Sequence, residues 1–147
     1  SRLTKLKGIL RGAFLFVHSI VRTAMQRVYR LETLEGVGVY TAREIYPMLT
    51  RILNEYVSLP NHPGPFTDSG LRSSSFRFGE LLEFNFGFSS LRQLRDWFFN
   101  RADRQLISEC GIVCAVYEVE DEHFHLGERQ CVFKKSHAKK VEIVDFI

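Results

Sequence analysis

The sequence predicts an α+β fold: a single domain with a mostly antiparallel sheet and two to three packed helices, preceded by a basic amphipathic N-terminal helix. Three observations lead there. Three strand-like runs follow one another at the carboxyl end, 112–120, 128–134 and 139–147, and successive strands after a helical middle pair antiparallel rather than alternate with helices. The stretch 84–99 changes period, with Phe84, Phe86 and Phe88 two apart and then Leu91, Leu94, Trp97 and Phe98 at helical spacing, so a strand with one buried face runs into an amphipathic helix. Finally, 147 residues that are 45% hydrophobic and 25% charged, 13 of them Phe, suit one ordinary domain with an aromatic core.

In chain order, residues 3–25 read as a helix carrying basic residues on a partly apolar surface. Its uncharged run, Gly12 to Val21, has ten residues, whereas a span of the bilayer needs roughly 20. Arg22 interrupts the approach to a small-residue cleavage site, against a signal peptide. The composition changes at Met25-Gln26, which divides the chain into a basic arm, 1–26, and an α+β domain, 27–147.

Arg27 to Glu32 alternates and is rich in strand formers, so it is the first strand, with Val28 and Arg30 on one face and Tyr29 and Leu31 on the other. Glu35 to Tyr40 reads as a glycine-containing loop or short strand, and its Gly36-Val37-Gly38 alone is a weak phosphate-loop signal. A helical stripe covers Thr41 to Val57, with Thr41 and Glu44 as a capping box, and Pro47 either opens or bends that helix. Residues 59–75 form the longest loop and hold three of the four prolines. The segment 76–82 fits a strand or a helical turn. Ser89 or Ser90 caps the helix after Phe88, and Trp97 is expected to be buried against the strand 84–88. A second short helix covers 100–111, stopped by Gly111. The turn 121–127 then separates the first two of the three closing strands.

Charge is unevenly placed. Residues 1–30 hold seven of the 20 basic residues and no acid, while 31–147 holds 13 basic and 17 acidic residues, a net −4. The basic pI belongs to the arm, so nucleic-acid or membrane contact is expected only through 1–26. Cys110, Cys114 and Cys131 are odd in number and lie among apolar residues, which fits buried reduced thiols in a cytoplasmic protein without a disulfide framework. His123, His125, Cys131 and His137 lack the regular ligand spacing of a zinc site, so no metal is assigned to them. Arg30 on a core-facing position calls for an anion, because a guanidinium stays charged when buried; Glu32, Glu118 or a ligand phosphate are the candidates.

Several separated places resemble small phage-borne or bacterial proteins and, more distantly, mono-ADP-ribosyltransferases. They are Arg30 in Val-Tyr-Arg-Leu, Ser89 and Ser90 in Phe-Gly-Phe-Ser-Ser (with Ser73 to Ser75 an equal candidate), and Glu128 or Gln130 in Gly-Glu-Arg-Gln-Cys-Val-Phe. The resemblance implies NAD as cofactor, with Arg30, Ser89 and Ser90 binding it. It also implies Glu128 or Gln130 at the catalytic position, where a carboxylate stabilises the positive charge on the ribose better than an amide. The expectation is therefore a phage or mobile-element host-interaction protein with a transferase-like domain that modifies a host protein using NAD. The alternative is a non-enzymatic binding protein that inhibits a bacterial defence protein.

Overall fold

The computed structural model describes residues 24–57, 59–60, 62–64, 68–73 and 83–147. Residues 3–23 of the predicted helix, the segment 76–82 and the alternative serines Ser74 and Ser75 lie outside these residues; the helix expected to run to Met25 does not reach it, because Met25 pairs as the first residue of a strand. The described elements are β1 (Met25–Glu32), α1 (Val39–Ala42), α2 (Pro47–Val57), α3 (Ser69–Ser73), β2 (Asn85–Gly87), α4 (Leu91–Trp97), α5 (Arg101–Glu109), β3 (Val113–Glu120), β4 (Phe124–Leu126), β5 (Cys131–Phe133) and β6 (Lys139–Val144).

The strands form two antiparallel three-stranded sheets, ordered β1-β3-β6 and β2-β5-β4. Among the described residues a single bridge joins them: Tyr29 and Phe88 exchange backbone hydrogen bonds of 2.7 and 2.8 Å. In the first sheet Val28 lies opposite Tyr117 and Arg30 opposite Ala115, so alternation puts Val28, Arg30 and Glu32 on one face and Tyr29 and Leu31 on the other, as the sequence predicts. The second face carries the larger core, where Leu31, Cys114 and Phe88 meet Leu49, Leu53, Tyr56, Leu94, Phe98 and Ile107 from the helices. The first face packs Val28, Ala115 and Tyr117 against Cys131 and Phe133 of the other sheet.

The strand-to-helix unit forms as expected, and the cap is Ser90. Its Oγ accepts from the Gln93 N–H at 3.0 Å, and the Gln93 side chain reaches back to the Ser89 N–H at 2.8 Å, a reciprocal closure of the first turn. Trp97 is buried, with its ring 5.5 Å from Phe86 and 5.7 Å from Phe88, and its N–H donates to the Tyr40 hydroxyl at 2.9 Å. Asn100 caps α5, and Gly111 takes the left-handed φ of +89° that ends the helical run.

Four expectations change in detail. The stripe over 41–57 is divided between two helices, and of the two roles offered for Pro47 the opening one holds, since this residue without an N–H begins α2. Thr41 and Glu44 form no capping box; Thr41 lies inside α1, which is preceded by Gly38. The long loop contains α3. The closing region has four strands, since β4 occupies the end of the predicted turn 121–127 and only Cys131–Phe133 of 128–134 is strand.

Candidate functional site

A cleft of about 360 Å³ opens between the start of α4 and the β4–β5 turn. Ser89, Ser90, Gln93 and Trp97 contribute one wall, and Glu128 and Arg129 the other. The cleft thus brings together three of the five residues singled out from sequence. Ser90 lines it while its hydroxyl caps α4; Ser89 Oγ donates to Gln93 Oε1 at 3.1 Å. Glu128 is exposed and accepts from Ser69 Oγ at 2.7 Å. Phe99, which is 62% exposed, stands at the rim with Arg92.

The second wall is positioned by Asp68, a residue the sequence reading passed over. Its fully buried carboxylate accepts four backbone N–H groups: Gly70 and Leu71 at the start of α3 at 3.0 and 3.2 Å, and Glu128 and Arg129 at 2.7 and 3.2 Å. It caps α3 and clamps the β4–β5 turn onto it. Gly127 makes the close approach possible, because a Cβ there would lie 2.6 Å from Asp68 Oδ2. An Asp immediately before Ser-Gly is the available sequence signal for this cap.

Gln130, two residues beyond Glu128, turns elsewhere. It is 1% exposed, its side-chain amide donates to the Pro63 carbonyl, and it lines a second cleft of about 320 Å³ with Tyr40, Phe86 and Trp97. Burial pushes the Tyr40 hydroxyl up to about 12, against the opposing hydrogen bond from Trp97. His62 lies in the wall shared by both clefts. Its Nε2–H donates to the Trp97 carbonyl, and Nδ1 is buried with no partner among the described residues.

Arg30 is not part of the cleft that holds Ser89, Ser90 and Glu128. Its guanidinium is buried and bonds Glu32 Oε2 at 3.1 Å and the Phe86 carbonyl at 2.7 Å. Glu32, one of the anions that the sequence offered, is in contact with it. Lys135 approaches the same oxygen at 3.4 Å, while Lys140 and the Tyr117 hydroxyl reach Oε1 at 2.9 and 2.6 Å. Burial acts to raise the Glu32 pKa, but the hydrogen bonds from Tyr117 and Lys140 and the charges of both lysines outweigh it and hold the carboxyl below the ordinary range. Gly36 and Gly38 make room for two of these cations: a Cβ on Gly36 would lie 2.7 Å from Lys135 Nζ, and one on Gly38 would lie 2.4 Å from Arg30 Nη2.

The histidines and cysteines do not form one constellation. His123 and His137 stack at 4.0 Å, His125 lies against Phe84, and Cys131 is buried in the core. Among the described residues the acidic or imidazole groups close enough for a common metal are the exposed Glu120 and Glu122 and the half-buried His123. All three cysteines are free. No helix among the described residues is long and apolar enough to cross a membrane.

The fold and the cleft together define an α+β domain of two small antiparallel sheets with a polar groove at one helix start. Residues 25–147 match the family described as Bacteriophage T4 Y00F protein, and the chain belongs to that family. It is also similar to an uncharacterized 19.7 kDa protein encoded in the motB-dexA intergenic region of Enterobacteria phage T4, at 36% identity over 56 residues, 38% of this chain and 33% of that protein. The match therefore spans about a third of the relative's length. Neither match is to a mono-ADP-ribosyltransferase. No solved structure matches.

Proposed function

We propose that this member of a phage protein family is a host-interaction protein that works by binding, with the cleft between α4 and the Glu128–Arg129 turn as its contact with a bacterial protein. A defence protein inhibited by occupation is the target class this implies. The observation that carries the reading is the placement of Arg30: the residue that would anchor NAD is bonded to Glu32 and a backbone carbonyl and lines a different cleft from the one that holds Ser89, Ser90 and Glu128. The cleft rim suits a protein partner, since exposed Phe99 and the arginines Arg92 and Arg129 are residue types that dominate binding energy at interfaces.

The transferase reading, NAD-dependent ADP-ribosylation of a host protein, draws support from one fact. Ser89, Ser90 and the exposed carboxylate Glu128 line a single cleft. In that reading Glu128 stabilises the ribosyl cation and Gln130, facing the other cleft, does not take part. One experiment separates the two. The protein is incubated with labelled NAD and bacterial lysate while NAD is titrated calorimetrically. The binding reading expects no labelled acceptor and no saturable heat, together with a host protein retained by the wild type and lost when Phe99→Asp and Arg129→Glu are introduced. Labelled acceptors that disappear in Glu128→Gln would overturn it in favour of the transferase.

A further inference from the structure

We propose that Lys135 and Lys140, held side by side by the buried Glu32, form a binding site for a doubly charged oxyanion of the phosphate kind. The site lies on the first sheet and is independent of the cleft proposed to bind a protein.

Charge counting raises the question. Glu32 needs one cation for neutrality, and Arg30 supplies it from the same strand, two residues away. Both lysines are then in surplus, and among the described residues none of the three cations is paired with a second carboxylate. A local excess of two positive charges stands in a segment, 31–147, whose net charge is −4. Like charges brought together repel, the more strongly where water is partly excluded, so the arrangement is poised for an anion.

Geometry points the same way. Each lysine takes a different oxygen of Glu32, and both ammonium groups stand over the Tyr117 ring, 5.8 and 5.7 Å from its centre. Both ammonium groups are thereby tied to one carboxylate and one ring, although their residues come from the 3-10 turn Lys135–His137 and from β6. Their side chains are 30% and 37% exposed, whereas that of Arg30 is 10% exposed. The lysines therefore present more of their side chains to solvent than the arginine, which faces a separate small cleft beside Gly38 and Phe86. Gly36, with a φ of +88°, bends the β1–α1 loop so that Lys135 can donate to its carbonyl at 2.6 Å, which fixes one ammonium in position. A dianion bridging Lys135 and Lys140 balances the surplus, which a monoanion only halves. Charge-assisted contacts to phosphate oxygens of this kind are the strong class of hydrogen bond.

The test uses the full chain. Sodium phosphate is titrated while the thermal midpoint and backbone amide shifts are followed, with sodium chloride at matched ionic strength as the reference and glycerol phosphate as a second arm. The expected result is a saturable rise in midpoint with phosphate and none with chloride, with shifts confined to residues around Glu32, Gly36, Tyr117, Lys135 and Lys140. Lys135→Gln and Lys140→Gln should each weaken the apparent affinity about tenfold, the factor set by 1.4 kcal/mol. Arg27→Gln, which removes a surface pair with Glu142, should leave it unchanged. Equal binding of glycerol phosphate supports a phosphate carried on a larger molecule, and binding of inorganic phosphate alone supports the free ion. A response no larger than that of chloride, or amide shifts scattered over other lysines, overturns the proposal even if a lysine variant fails to fold.

Discussion

Replacing Glu32 by Gln is the sharpest perturbation available in the first sheet. The carboxylate is completely buried and holds Arg30, Lys135, Lys140 and the Tyr117 hydroxyl at 3.1, 3.4, 2.9 and 2.6 Å. Removing one partner of a buried pair typically costs about 3–5 kcal/mol, because the other charge is left without compensation. The lysines contribute little of this, since chains 30% and 37% exposed can turn to water, and exposed pairs are worth about 0–1 kcal/mol. Arg30 cannot escape in the same way, so we expect a loss of about 3 kcal/mol in urea unfolding at pH 7. The pH dependence follows from the direction of the Glu32 shift. A carboxyl held below its ordinary value, near 4.5, contributes stability that is fully present above that value and disappears as pH falls through the folded-state pKa. Wild type should therefore lose stability in acid that the Gln variant never had, and the two curves should converge below pH 4.5. A loss under about 1 kcal/mol at pH 7, or curves that stay parallel through the acid range, would refute the reasoning. Combining Glu32→Leu with Arg30→Met should recover much of the stability, because apolar replacement removes both desolvation penalties.

Asp68→Ala should cost about 3 kcal/mol or more, as four backbone donors lose a charged acceptor; amide exchange at Gly70, Leu71, Glu128 and Arg129 should accelerate, and unchanged protection would contradict the clamp. Trp97→Ala, which empties a site packed by Phe86 and Phe88, should lower the unfolding free energy by about 3–5 kcal/mol, and a loss under about 1 kcal/mol would exclude a core role. Burial raises the thiol pKa of Cys114 to about 12 and shifts that of Cys131 in the same direction. In the folded protein at pH 8, both should resist a thiol reagent that reaches partly exposed Cys110; rapid labelling of all three would contradict this. Since β1 begins at Met25, where the family match also begins, a chain starting there should keep nearly the same unfolding midpoint, and aggregation of that chain would make residues 1–24 a core element.

What could be read from sequence was whatever repeats locally over several residues. β1 and β3 are eight residues each and show their two faces by alternation, and the helical spacing of Leu94, Trp97 and Phe98 places them correctly in the core. Three-residue strands carry no such signal. In β4, Phe124 and Leu126 flank a histidine after an acidic run, so the segment reads as a turn until pairing with β5 makes it a strand. The Ser-Gly-Leu-Arg-Ser of α3 has no apolar stripe and becomes helical around the carboxylate of Asp68. At the candidate sites, an anion beside Arg30 was foreseeable and Glu32 was among the choices. Lys135 and Lys140 were not, because they lie more than a hundred residues away: Lys140 is brought to Glu32 by the β3–β6 register and Lys135 by the 3-10 turn that precedes β6. The separation of Glu128 from Gln130 was equally hidden, since the Asp68 clamp holds one at the cleft while the other turns under Pro63.

Each of the two buried carboxylates joins segments distant in sequence. Every strand in the second sheet is three residues long, so its ladders supply few hydrogen bonds with which to fix the orientation of a turn. Asp68 fixes it instead, by joining the amides of Glu128 and Arg129 to those of α3. Glu32 makes a weaker tie in the first sheet, since it meets the β5–β6 connection only through the partly exposed Lys135 at 3.4 Å. A functional defect in an Asp68 variant therefore has two readings, a lost contact or a displaced wall, and the fully buried side chain decides between them. A ligand in the cleft meets Glu128 and Arg129, so Asp68 acts through their position. Its replacement should weaken binding in proportion to the disorder measured at those two amides, while Arg129→Glu weakens binding with both amides still protected.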